Sequence, residues 1–137
     1  MGAADHEAWV REVGERRVHP DDVQHPSGMI RGSTEGKVDY RLAMDGPMFD
    51  RWAELLTNAA ERKGKRNWMN ACTEEDLERF LEGFARHARQ YLRGDDDEDH
   101  AAAIMFNLNG AEYVRERLRE QQRADTRQEL MRAAGRQ

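Results

Sequence analysis

Cysteine is nearly missing from this chain: Cys72 is the only one in 137 residues. A single thiol excludes an intramolecular disulfide framework and fits a reducing compartment. Beside a helix start, Cys72 reads as a small apolar residue. Long apolar runs are missing too, and so is a signal-peptide pattern, so the expectation is a soluble cytoplasmic protein with no membrane partner. A basic excess is also lacking, with 22 Lys and Arg against 27 Asp and Glu, a net charge of -5. No basic stripe with interleaved aromatics appears, which argues against binding a nucleic-acid polymer. Apolar residues are few, 38% against 36% charged, with a mean hydropathy of -1.02. That is a thin core for one domain of this length. Loosely ordered termini and burial of apolar surface against another copy are both expected.

What is present is mostly helical patterning. Residues 5–18 form a candidate helix with Asp5 as N-cap and Trp9, Val10 and Val13 on one side. Residues 19–36 are rich in Pro and Gly without apolar periodicity, and read as a loop or linker. Lys37 to Leu42 alternates weakly and leads to Asp45-Gly46-Pro47, with Pro47 suited to a first helical turn.

Three helices follow. From about Met48 to Lys63, the residues Phe49, Trp52, Leu55, Leu56, Ala59 and Ala60 make one stripe, and Gly64 ends it. Thr73-Glu74-Glu75-Asp76 opens the next in capping-box style. Its expected buried stripe is Leu77, Phe80, Leu81, Phe84, Ala88, Tyr91 and Leu92, and Gly94 closes it. The third helix starts inside the acidic run Asp95 to Asp99, where carboxylates suit the positive end of the macrodipole. Its stripe is His100, Ala103, Ile104, Asn107, Leu108, Ala111, Val114 and Leu118, while Ala102, Met105, Phe106 and Tyr113 lie on other faces. A helix apolar on more than one side is sandwiched, in a bundle or between subunits. Beyond Arg119 the pattern fades into alternating charge, which predicts a frayed tail. The fold class is all-α, a small antiparallel bundle completed by a homodimer or higher homo-oligomer. Residues 1–36, 37–119 and 120–137 form the N-terminal segment, the helical domain and the charged tail.

The acidic run carries the chemical signal. A charge run is commonly a solvated loop, but five carboxylates in a tight connection between helices can converge on Mg²⁺, and such cations clamp phosphates. On the second helix, Glu82 and Arg86 have the spacing of an ordinary i,i+4 ion pair, roughly 0.2–0.5 kcal/mol, and His87 that of a packing residue. His100 and Asn107 lie two turns apart on an apolar stripe. An unpartnered buried amide costs on the order of 1–3 kcal/mol, so the pair either bonds across the bundle or lines a polar site. Arg66-Asn67-Trp68 combines a cation, an amide and a large ring, enough to hold a phosphate, read a base edge and stack a base. The same Trp68 equally suits the end of a bundle.

Taken in order, Ala59-Ala60-Glu61-Arg62-Lys63-Gly64-Lys65-Arg66-Asn67-Trp68, Glu82-x-x-x-Arg86-His87, Gly94-Asp95, Asp97-Glu98-Asp99-His100 and Asn107 form a set. The set resembles the phage-associated dATP/dGTP diphosphohydrolase family, relatives of the all-α MazG-type nucleotide pyrophosphohydrolases. The likeness runs from about Gly36 to Val114. It departs from the family pattern at Ala59, where Gly is common, and at Lys63, where Tyr is common. The acidic turn is also shorter than in many relatives. The resemblance implies metal-dependent hydrolysis of purine deoxynucleoside triphosphates to monophosphate and pyrophosphate, with Mg²⁺ or Mn²⁺ as cofactor and the host cytoplasm as location if phage-encoded. On it, Glu82, Asp95, Glu98 and Asp99 become metal ligands, and Glu82, Arg86 and Asp99 catalytic residues. Arg66, Asn67, Trp68, His87, His100 and Asn107 become substrate contacts. A non-catalytic nucleotide-sequestering module and a helical interaction protein are the alternatives.

Overall fold

The computed structural model describes residues 19–136, so the helix expected over residues 5–18 lies outside the described residues. The chain divides into two units, Met1–Asp39 and Tyr40–Gln137. In the first unit, the expected loop contains a hairpin. Strands β1 (Asp22–Gln24) and β2 (Ile30–Gly32) pair antiparallel, with Val23 opposite Arg31. Pro26 presets the turn, and Gly28 takes a φ of 86° that side chains resist. Its N–H reaches the His25 carbonyl at 2.8 Å. Strands of three residues are too short to show a period, which is why the sequence reads there as a linker.

The second unit is helical. A single turn, α1 (Arg41–Met44), stands where the weak alternation ended, and no strand forms over 37–42. Helix α2 (Pro47–Lys63) opens on Pro47 and places Arg62 and Lys63 in its last turn, favourable for the macrodipole. After a 3-10 turn (Asn67–Asn70) comes α3 (Glu74–Arg93). Its capping box is complete: the Asp76 N–H donates to Thr73 Oγ1 at 3.1 Å, and the Thr73 N–H donates to Asp76 Oδ2 at 3.1 Å. Gly94, in the left-handed region, ends α3 in a Schellman motif, with the Asp95 N–H on the Gln90 carbonyl at 3.0 Å. Helix α4 (His100–Ala134) is capped by Asp99, whose carboxylate accepts from the Ala102 N–H at 3.0 Å.

Both α2 and α3 pack on α4. The α3–α4 contact is antiparallel and built on two glycines. A Cβ on Gly83 would lie 2.3 Å from Asn107 Oδ1, and one on Gly110 would lie 2.3 Å from Phe80 Cε1. Ala102, Ala103, Ala111 and Val114 fill the buried seam. Small residues, rather than large ones, let the helices approach.

The expected stripes shift accordingly. Leu92 is 84% exposed, and Tyr91, Leu108 and Phe49 also reach solvent, whereas Ala102 and Gly110 are buried. Phe106 and Tyr113, expected on faces other than the main stripe, are both covered within the second unit. Phe106 meets Phe80 edge-on at 5.9 Å, and Tyr113 meets Trp68 at 5.1 Å. The arc of α4 is covered by α3 on one side and by the 3-10 turn on another. Past Arg119 the helix does not fray but runs on to Ala134, exposed throughout. No helix among the described residues is long and apolar enough to cross a membrane.

The close contact at Gly110 is open to test. Gly110→Ala adds helix propensity worth about 1 kcal/mol, but overpacking typically costs about 1–3 kcal/mol. A lowered midpoint in urea unfolding is expected, and a raised one would show that Phe80 moves aside without penalty.

Candidate functional site

Most of the residues singled out in the sequence gather at two places on the second unit, whereas Glu82, Arg86 and Asn107 belong to neither. One is the turn between α3 and α4. Here the Gly94 stop and the Asp99 cap hold the acidic run short, and they bring His87, on the last turns of α3, against His100, at the first position of α4. The two Nδ1 atoms lie 3.0 Å apart. His100 is buried, and its Nε2 lies 2.7 Å from Asp97 Oδ1. A carboxylate accepts, so His100 donates from Nε2, and one proton serves the contact between the two Nδ1 atoms. Glu98 Oε1 stands 3.7 Å from both Nδ1 atoms.

The other carboxylates of the turn are occupied. Asp99 accepts two hydrogen bonds from Arg51 on α2, one of them from Nε at 2.8 Å, besides capping α4. Asp95 is paired with Arg93. Each pairing holds its carboxyl below the ordinary range: hydrogen bonds from Arg51 for Asp99, from Arg93 for Asp95 and from His100 for Asp97. Burial pushes His87 down, against the opposing pull of Glu98. Two groups of close metal-ligand atoms result among the described residues: His87, Glu98 and His100, and Asp95, Asp97 and His100. Asp95 and Glu98 thus join histidines, while Glu82 and Asp99 are in neither group. Glu82 and Arg86 are exposed, and no ion pair joins them. Long solvated side chains gain little from such a pair.

The second place is a groove of about 1130 Å³ between the end of α2, the 3-10 turn and the start of α3, with Phe80 and Phe106 among its lining residues. Arg66, Asn67 and Trp68 line it, as do Lys63, Lys65 and Arg79. None of these four cations makes an ion pair among the described residues, although Asp76 and Glu61 share the wall. Arg66 has a φ of 57°, the one positive value outside glycine among the described residues. A left-handed backbone costs a side-chain-bearing residue roughly 1–2 kcal/mol, and such strain gathers at functional sites. Trp68 both lines this groove and packs on Tyr113, so bundle end and pocket wall are one role. Asn107 lies between the two places, buried against Gly83, its amide donating to the Ala103 carbonyl at 2.8 Å. Phe80 and His87 are separated by about 10 Å along α3.

Comparison with family models, with curated proteins and with solved structures gives no match in any of the three. Sequence reasoning passed over Arg51, Asp97 and Arg79. Nothing local marks Arg51, whose partner is 48 positions away. Asp97 stands three residues before His100, a spacing that turns favour, and was a usable signal.

Asp99 has a structural job that separates its shape from its charge. Asp99→Ala should cost about 1 kcal/mol or more through the lost cap. Asp99→Asn should keep most of that, because Asn caps as well as Asp, and lose only the charge on Arg51. Equal losses in thermal unfolding would contradict the capping role.

The pH dependence has two stages. His87, with its folded pKa depressed, binds its proton more readily when unfolded, so stability falls as pH drops below about 6.5. The depressed aspartates contribute stability above about pH 3.9 that is lost as pH falls through their folded values. Melting curves should show the first loss in the native chain and not in His87→Gln.

Proposed function

We propose that this chain is a nucleotide pyrophosphohydrolase that converts purine deoxynucleoside triphosphates, dATP and dGTP, to monophosphate and pyrophosphate. The observation that carries the reading is the groove: four cations, none held in a salt bridge among the described residues, beside an aromatic ring. Trp68 offers a stacking face and Asn67 an amide for a base edge. Arg66, Lys63, Lys65 and Arg79 neutralise phosphate oxygens, Arg66 with a planar fork that matches them. Water attacks the α-phosphorus, and a carboxylate of the acidic turn takes its proton. Mg²⁺ or Mn²⁺ supplies charge neutralisation when bound, and Glu82, Asp95, Glu98 and Asp99 are the residues that would hold it. Among these, Glu98 and Glu82 accept a hard cation without surrendering a bidentate arginine partner. Asp95 and Asp99 must exchange Arg93 and Arg51. The resemblance of the ordered residue set supports the same reaction. A homo-oligomer fits the exposure of Leu92, Leu108, Leu130 and Met131.

One observation favours a second reading. The groove and the acidic turn are separated along α3, and three of the turn carboxylates already hold basic partners. A groove that binds nucleotide without cleaving it, a sequestering module, matches that arrangement.

Incubating the protein with a panel of nucleotides and Mg²⁺ or Mn²⁺, then separating the products, decides between them. The expected products are monophosphate and pyrophosphate from dATP or dGTP, abolished by EDTA. Binding without turnover establishes the sequestering module, and a diphosphate product refutes the proposed bond cleavage. Arg66→Gly provides an independent check. It relieves the left-handed strain, so the melting temperature should rise while nucleotide binding weakens tenfold or more. Unchanged binding would remove Arg66 from the site.

A further inference from the structure

We propose that His87 Nδ1, His100 Nδ1 and Glu98 Oε1 form a site for a borderline first-row transition ion, with Zn²⁺ as the reference, tying the end of α3 to the start of α4. This goes beyond the hard-oxygen Mg²⁺ or Mn²⁺ set of the hydrolase reading and does not depend on that reading. The three separations, 3.0, 3.7 and 3.7 Å, define a triangle. Its circumcentre lies about 2.0 Å from every corner, against typical Zn–N and Zn–O bonds of about 2.0–2.2 Å. Two imidazole nitrogens favour Zn²⁺, Co²⁺ or Ni²⁺ over Mg²⁺, which prefers oxygen and keeps its water.

The surroundings prepare the nitrogens for this role. Asp97 accepts from His100 Nε2–H at 2.7 Å, the carboxylate–histidine arrangement that fixes a ring and leaves the opposite nitrogen for metal. Burial favours neutral His87, the form whose nitrogen carries a lone pair. The His100 side chain is 1% exposed and that of His87 12%, while Glu98 is 54% exposed. The histidines therefore sit on rigid helices, and the exposed side leaves positions for water or a ligand. Without an ion, the two rings share a proton. On binding, the proton between the rings moves to His87 Nε2 by exchange with water, so both Nδ1 lone pairs face the ion. Protonation of either ring competes with the ion, so affinity falls as pH is lowered.

The test is titration of the chelator-treated full chain with Zn²⁺ in the absence of nucleotide, read by calorimetry and by melting temperature. Co²⁺ serves as a spectroscopic reporter. One equivalent should bind, raise the melting temperature and resist displacement by excess Mg²⁺. His87→Gln and Glu98→Gln should weaken binding at least tenfold with unchanged circular dichroism. Asp97→Asn should weaken it by roughly 10–100-fold. Cys72→Ser should leave the first equivalent in place, since that thiol is exposed and elsewhere in the bundle. The proposal is overturned by no binding, which leaves only the histidine–histidine hydrogen bond. It is equally overturned by displacement with Mg²⁺, or by binding that survives His87→Gln and Glu98→Gln. Glu98 is a surface side chain, so its variant decides the matter even if His87→Gln fails to fold. Because no nucleotide is present, failure here leaves the hydrolase reading untouched, and failure of turnover leaves this site untouched.

Discussion

The close antiparallel contact of α3 with α4 is the constraint on which the rest of the structure depends. It exists because two positions carry no side chain. Gly83 receives Asn107, Gly110 receives Phe80, and a Cβ at either place would stand 2.3 Å from its neighbour. With the helices at that separation, His87 and His100 meet at 3.0 Å. The contact also sets Phe106 beside Phe80, and both help line the groove. A large-residue seam would part the helices and dissolve both places at once.

The acidic turn shows how a charge run can be structural and chemical together. Five carboxylates in sequence repel one another in water, but the fold gives three of them basic partners and one of these a cap as well. Asp99 ties α4 to α2 through Arg51, Asp95 folds back on Arg93, and Asp97 orients His100. Glu98 alone faces both histidines without a hydrogen bond to either. That division of labour explains why the chemically useful group is a mixed nitrogen and oxygen set rather than a cage of oxygens.

The helical elements were legible because their signals are local. Thr73 to Asp76 gave the start of α3, Gly94 its end, and Pro47 and Gly64 bracketed α2 within a residue or so. Burial of His100 and Asn107 also followed from their place on the apolar stripe. The hairpin over Asp22 to Gly32 escaped because strands of three residues carry no period. The exposure of Tyr91, Leu92 and Leu108 escaped because helical spacing gives a face but not the length over which a partner covers it. The cover over Tyr113 escaped because Trp68 comes from a turn rather than from a helix. In the candidate site, the residue types of the acidic run were visible, whereas their partners were not. Arg51 and Asp99 are brought together only by tertiary packing. The His87–His100 pair needed both the Schellman stop and the Asp99 cap to fix the turn between them.

The central proposal is that nucleotide binds in the cationic groove beside Trp68, on a bundle held together by the α3–α4 seam. The most direct measurement is an amide NMR titration of the labelled protein with dATP and dGTP. The account predicts shifts concentrated at residues 63–70 and at Arg79, with the amides of Gly83 and Gly110 unmoved. Shifts confined to the exposed half of α4, or none at millimolar nucleotide, would contradict it.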